Sequence, residues 1–137
     1  MEARPGVRQL RLVVTAADYD EALRFYRDVL TLPELAVWSS PDGGRVTLLD
    51  AGKATLELTD PINARFIDEV EVGHRAAGHI RVALEVDDAR VATAAAVAGG
   101  ATVIAEPTAT PWNSLNARLE GPAGLQLTLF EELGEGE

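Results

Sequence analysis

The sequence predicts an α+β domain in which two βαβββ repeats form a curled mixed sheet around a central cavity, with helices outside. The stretches RLVVTAAD (residues 11–18) and RVALEVDD (residues 81–88) share a first arginine and a last aspartate. Each is followed by a helical pattern and then by three short strand candidates. Because one such half leaves a sheet face uncovered, two halves are expected to enclose a shared cavity.

Repeat one spans about residues 8–59. The alternation of apolar and polar residues predicts a strand over 10–16. Asp18, with Glu21 three positions later, predicts a capped helix start, and Pro33 ends the helix. The helix residues expected to face a sheet recur at helical spacing: Ala22, Phe25, Tyr26, Val29 and Leu30. Three more strands are predicted at 34–40, 44–50 and 53–59, separated by the turn-forming PDGG and AG.

Repeat two spans about residues 78–132 in the same order. A strand over 79–86 precedes a helix that begins at an aspartate and ends at GG. Three further strands are predicted at 101–107, 112–120 and 125–132. Residues 60–77 are predicted to link the repeats, with room for a turn of helix. The prediction is therefore one domain over residues 1–137.

Composition limits the classes of partner. The formal net charge of −10 argues against nucleic acid, because phosphate binding needs clustered positive charge. No apolar run reaches the roughly 18–20 residues of a membrane helix, and the first residues lack the apolar core of a signal peptide. The chain has no cysteine, which excludes disulfides and thiolate zinc sites. A cytoplasmic location without membrane partners is expected.

Period-two alternation divides the strand residues between two faces. The apolar face is predicted to pack under the helices. The other face, predicted to line the cavity, is polar for a protein interior. It includes Arg11, Glu57, Arg81, Asn116, Arg118, Gln126 and Thr128.

Several motifs resemble those of one known superfamily. DYDEALRFYRDVLTLP (18–33), TLELTD (55–60), RVALEVDD and GPAGLQLTLFEE (121–132) resemble landmarks of the vicinal oxygen chelate superfamily. That group includes glyoxalase I, bleomycin-resistance proteins and extradiol dioxygenases. The resemblance covers about residues 8–132 and implies a glyoxalase-like fold and a homodimer.

The resemblance also implies a site for one divalent metal. Carried over by position, its four ligands correspond to Arg11, Glu57, Arg81 and Thr128. Of these, only Glu57 matches the metal ligands of the superfamily. Arginine stays protonated and offers no acceptor, so it cannot ligate a cation. The sequence therefore predicts neither a metal nor another cofactor.

The favoured prediction is a metal-free protein that binds a small anionic or antibiotic-like molecule. The predicted ligand-binding residues are Arg11, Glu57, Arg81, Thr128, Trp112, Asn116 and Arg118. One structural alternative is a charged network of Arg11, Glu57 and Arg81 that fills the place of the metal cluster. Another is a dimeric scaffold whose cavity is filled by its own side chains.

Enzymatic activity is left open. The alternative function is a lyase, isomerase or dioxygenase of the same superfamily, either metal-dependent or using Glu57 as a base next to the two arginines.

Overall fold

The computed structural model describes residues 11–134 except 13, 42, 55, 56 and 58. The first part contains α1 (Tyr19–Leu23), continued by a π-helical segment (Arg24–Val29), then β1 (Glu34–Ser39) and β2 (Arg45–Leu49). The second part contains α2 (Pro61–Glu71), β3 (Val82–Glu85), α3 (Ala89–Ala98), β4 (Thr102–Ala109), β5 (Ser114–Glu120), a 3₁₀ turn (Pro122–Gly124) and β6 (Gln126–Glu132). The α+β class is confirmed.

Each of the three α-helices formed by the described residues begins after an aspartate. The carboxylates of Asp18, Asp60 and Asp88 each accept a hydrogen bond from the backbone N–H three residues later, at 2.8–3.0 Å. Such caps satisfy an amide that a helix start leaves without a partner. The predicted aspartate starts of the first and last helices are confirmed, and α2 uses the same device.

The described strands form two sheets. β1 and β2 make an antiparallel pair, and the larger sheet has the order β3-β6-β5-β4. In the larger sheet β3 runs parallel to β6, while β6–β5 and β5–β4 are antiparallel. The register places Arg118 opposite Thr128 and Ala117 opposite Leu129, so polar and apolar residues separate onto opposite faces as predicted.

The hydrophobic core lies between the apolar face of the larger sheet, α3 and the helix of repeat one. Its buried members are Phe25, Ala96, Ala101, Ala117, Leu119, Leu127 and Leu129. Tyr26, Val29 and Leu30 pack against this cluster, so the predicted inner face of the first helix is confirmed. The first helix therefore contributes to the core of repeat two.

Two predicted strands of repeat one are not formed in the described residues. Residues 11, 12 and 14–16 carry no strand, nor do 53, 54, 57 and 59; the remaining residues of these two segments lie outside the described part. Alternation of apolar and polar residues favours a half-buried strand. A strand forms, however, only where another segment offers hydrogen-bond partners to its backbone. β1 and β2 instead pair with each other, with Val37 opposite Thr47.

The predicted linker holds more structure than a turn. Residues 61–71 form an 11-residue helix, α2, which packs on the side of β4 and β5 that carries the polar residues. None of the helices in the described ranges is long and apolar enough to cross a membrane.

Candidate functional site

The polar face of the larger sheet centres on a buried arginine. Arg118 of β5 is 0% exposed. Its Nη1 donates to Asp68 Oδ1 and its Nη2 to Glu71 Oε1, both at 2.8 Å. The two carboxylates are 1% and 3% exposed and come from α2. A guanidinium buried to this degree needs such partners, because an unpaired buried charge costs several kcal/mol.

Helix α2 presents its carboxylates, rather than its largest apolar side chains, to the sheet. Asp68 and Glu71 stand three residues apart and so lie on one side of the helix. On the other side, Ile62 is 76% and Phe66 50% exposed. The polarity of this helix is thus the reverse of that expected for a helix that packs on a core.

Asp68 accepts more hydrogen bonds than any other side chain of this cluster. Besides Arg118, its Oδ2 accepts hydrogen bonds from Arg75 Nη1 at 2.7 Å and from the backbone N–H groups of Ala76 and Ala77 at 2.9 and 3.0 Å. Burial alone raises the pKa of Asp68. The hydrogen bonds and the charge of Arg118 outweigh burial and lower this pKa to about 2.

We expect the stability of the protein to fall in acid partly through Asp68. A carboxylate whose pKa is lowered by folding stabilises the native state above its unfolded pKa, and the contribution disappears as pH falls from about 4 to about 2. With a shift of this size the contribution is about 2 kcal/mol. Urea unfolding of the wild type and Asp68→Asn between pH 7 and pH 2 measures it.

The difference in stability between these two proteins should shrink as pH falls through that window. Glu69→Gln, an exposed carboxylate change on the same helix, is the control and should differ little from the wild type throughout. A gap that stays constant down to pH 2 would exclude a titrating Asp68.

Asn116 and Arg118 both contact Glu71. Asn116 Nδ2 donates to Glu71 Oε2 at 2.7 Å, and its Oδ1 accepts from Ser114 Oγ at 2.7 Å. Arg118 Nη1 also donates to Gln126 Oε1 at 2.9 Å. The Nε of Arg118 is buried without an acceptor among the described residues. These two predicted ligand-binding residues are therefore occupied by the protein's own carboxylates.

Arg81 is in a different situation. It is half buried, and its Nη1 donates to Thr128 Oγ1 at 2.7 Å. Within the described ranges no carboxylate forms an ion pair with it. Burial, followed by the charge of Arg118, lowers the pKa of Arg81, whereas the charges of Glu71, Glu57 and Asp68 raise it. Arg81 is thus a cation beside Arg118 whose hydrogen-bond partner is neutral.

The other predicted site residues lie further out. Arg11 and Glu57 are exposed, although Glu57 is close enough to act on the charge of Arg81. Trp112, in the turn between β4 and β5, is 42% exposed, and its ring centroid lies 6.3 Å from that of Phe66. The structure therefore brings Arg81, Thr128, Asn116 and Arg118 together and places Arg11 and Trp112 outside the buried cluster.

Asp68 and Glu71 were missed in the sequence. One alternative from the sequence was a charged network of Arg11, Glu57 and Arg81, whereas the buried network of the structure joins Arg118 to two residues of the predicted linker. Their i,i+3 spacing was a usable signal, because it puts two acids on one side of a helix. The apolar residues Ile62 and Phe66 lie on another side of this helix and would by themselves favour the opposite orientation.

The residues at the positions implied for a metal do not fit one. Arg81 carries no lone pair for a cation and instead donates to Thr128, the next of these residues. In the part of the chain that the structure describes, no three His, Asp or Glu side chains converge as a metal site would require.

Two clefts of the described part lie away from the cluster. One, of about 190 Å³, lies between α1 and the 3₁₀ turn and includes Glu21, Arg24 and Glu120. The other, of about 590 Å³, lies between α3 and β4 and includes Arg90 and Glu106. Neither includes a predicted ligand-binding residue.

Comparison with known proteins identifies the family. A sequence model of the glyoxalase/bleomycin resistance protein/dioxygenase superfamily matches residues 8–129. The chain belongs to this superfamily. The motif resemblance is thereby confirmed, while the superfamily itself includes both enzymes and binding proteins. A search of curated proteins found no match.

Several solved structures share the fold. TnmS3, an antibiotic binding protein from Streptomyces sp. CB03234, is 21% identical with a TM-score of 0.61, and the match covers 94% of this chain and 99% of that one. A protein of unknown function from Agrobacterium tumefaciens str. C58 is 21% identical with a TM-score of 0.62, covering 93% and 96%. A glyoxalase I mutant from Zea mays is 18% identical with a TM-score of 0.58, covering 85% of this chain and 44% of that one. At these identities the likeness concerns the fold alone.

Proposed function

We propose that this superfamily member is a metal-free binding protein for a small organic anion, which it holds at Arg81 on the polar face of the larger sheet. One observation carries the proposal: the Arg81 guanidinium is half buried, yet its hydrogen-bond partner is the hydroxyl of Thr128. A carboxylate, phosphate or enolate would supply the missing negative charge.

The chemistry of arginine supports an anionic ligand. A guanidinium carries five N–H donors in a planar fork that matches carboxylate and phosphate, and the bond to Thr128 uses one of them. Thr128 fixes the orientation of this fork. A hydrogen bond to a charged group contributes about 1.5–3 kcal/mol, so a bidentate contact would give measurable binding of even a small acid.

The remaining predicted residues have supporting roles in this proposal. Arg118 and Asn116 lie on the same face as Arg81, where the carboxylates of α2 hold them, and Trp112 offers an apolar surface beside Phe66. Arg11 and Glu57 lie at the edge of the site. We also infer that residues 1–137 act as one domain and that the protein is a homodimer, which light scattering on the purified protein would test.

We expect Arg81→Met to weaken anion binding by about tenfold to a hundredfold, the equivalent of one charged hydrogen bond. Titration calorimetry with acetate, benzoate, glutarate and inorganic phosphate measures the loss. Arg90→Met is the matched control, because Arg90 is an exposed arginine on α3, on the opposite side of the sheet.

Equal binding by the wild type and Arg81→Met, or no binding of any of these anions, would refute the proposal. TnmS3 is described as an antibiotic binding protein. Cationic antibiotics belong in the same titrations, because binding of those alone would point to the overall negative charge rather than to Arg81.

An enzyme that uses Glu57 as a base is the second candidate. Its support is the electrostatic proximity of Glu57 to Arg81, whose charge would stabilise an enolate. Glu57→Gln separates the two functions. In a binding protein it should preserve or tighten anion binding, since it removes a negative charge near Arg81. In an enzyme it should abolish turnover.

A further inference from the structure

We infer that helix α2 is a displaceable strap, whose carboxylates hold Arg118 in place of an external ligand, and that the ligand class it imitates is a small aliphatic dicarboxylate. The inference rests on the proposed function, because ligand and strap would use the same polar face. It adds to the proposed function that α2 competes with the ligand, and that the ligand is a dicarboxylate.

The attachment of α2 depends strongly on charge. Its most buried residues are Asp68 and Glu71, while Ile62 and Phe66 remain exposed. Both carboxylates lie in the last turn, where the negative end of the helix dipole disfavours them. Arg118 and Arg75 compensate that charge. Without these arginines, burial of the last turn of α2 against the sheet would therefore be unfavourable.

The contacts of α2 show which chemistry this face recognises. One guanidinium, that of Arg118, holds two separate carboxylates, and Asn116 adds a donor to the second. Arg81, on the same face, has donors to spare. A molecule with two carboxylates on a short flexible spacer can present the same groups to the same donors.

Glu71 is the weaker of the two attachments. Asp68 is also held by Arg75, Ala76 and Ala77, all of which lie in the segment that follows α2. Glu71 has no such local support: its recorded partners, Asn116 and Arg118, lie on β5. The buried Nε of Arg118 lacks an acceptor in the part of the chain that the structure describes, so the two carboxylates do not satisfy the guanidinium fully. Displacement should therefore begin at Glu71, with Asp68 staying in place longer.

Glutarate binding to the wild type, Glu71→Gln and Glu69→Gln tests the strap. Glu71→Gln removes the competing charge and keeps an amide of the same size. Glu69→Gln makes the same change at an exposed position of α2. We expect calorimetry to show glutarate binding about tenfold tighter to Glu71→Gln than to the other two proteins, which is within the usual range of coupling between sites.

Hydrogen exchange of the α2 amides, measured by mass spectrometry, gives a second readout. Because coupling is reciprocal, saturating glutarate should speed exchange in α2 of the wild type while β5 and β6 stay protected. A purely structural ion cluster predicts the opposite, since a ligand that leaves it intact would slow exchange.

The outcomes separate the two proposals. If glutarate binds all three proteins equally, or protects α2, the strap is overturned while the anion site stands. If glutarate binds Glu71→Gln but not the wild type, the strap is supported in its strongest form. If glutarate binds none of the three proteins, the strap proposal is refuted. If the other anions also fail to bind, the anion-site proposal is refuted as well.

Discussion

Arg118→Met should cost about 3–5 kcal/mol of unfolding free energy, the usual result of removing one partner from a buried charge cluster. Methionine fills a similar length but offers no donor. Asp68 would retain Arg75 and two backbone amides, whereas Glu71 would keep Asn116 as its recorded partner. The loss should therefore come mainly from the carboxylate of Glu71, left buried without a cation.

A double substitution tests that explanation. Adding Glu71→Gln to Arg118→Met removes the buried charge that has lost its cation, so the double variant should be more stable than Arg118→Met alone. Its unfolding can still be measured if Arg118→Met does not fold. Arg65→Met, at an exposed position of α2, should change stability by no more than about 0.5 kcal/mol. Urea denaturation of all four proteins provides the comparison. A loss below 1 kcal/mol for Arg118→Met would show that the cluster adds little.

Phe25→Ala should destabilise the protein by about 3–5 kcal/mol. Phe25 is 0% exposed and belongs to the core cluster formed mainly by α3, β5 and β6. Its ring also meets Tyr26 edge-on, with centroids 4.9 Å apart. Alanine would leave a cavity where the helix of repeat one enters the core of repeat two, and the close packing around it limits collapse.

Phe66→Ala is the matched control for this prediction. Phe66 is also a phenylalanine on a helix, but it is half exposed and its ring contacts Trp112 at the surface. Phe66→Ala should lower the free energy of unfolding much less than Phe25→Ala, because folding removes less of the apolar area of Phe66 from water. Similar losses for the two variants in urea unfolding would mean that Phe25 does not join the repeats as the structure indicates.

Much of repeat two could be predicted from the sequence. Alternation placed Ala117, Leu119, Leu127 and Leu129 on the packed face and Arg118 on the other, and the sheet follows that division. The alternation of residues is enough to predict the two faces there, because each strand has a neighbouring strand to pair with. Aspartate caps were equally visible, since a cap depends on residues only three positions apart.

The lack of a strand over residues 14–16 and the partners of Arg118 could not be predicted in this way. Whether residues 14–16 form a strand depends on which segment offers them backbone groups, and no local pattern contains that information. Asp68 and Arg118 are 50 residues apart, and their pairing requires α2 to expose Ile62. Hydrophobic periodicity assigns such a helix the reverse orientation, because it counts apolar burial and ignores a charge that must be neutralised.

The burial of Phe25 in the core of repeat two has a consequence for how this gene could be recombined with relatives. If each repeat had its own core, exchanging one repeat between two homologues would join two finished units. Here Phe25 from residues 8–59 and Leu127 from residues 78–132 belong to one cluster. A crossover between the repeats would therefore separate side chains that fit one another, and productive chimeras should inherit the first helix together with β5 and β6.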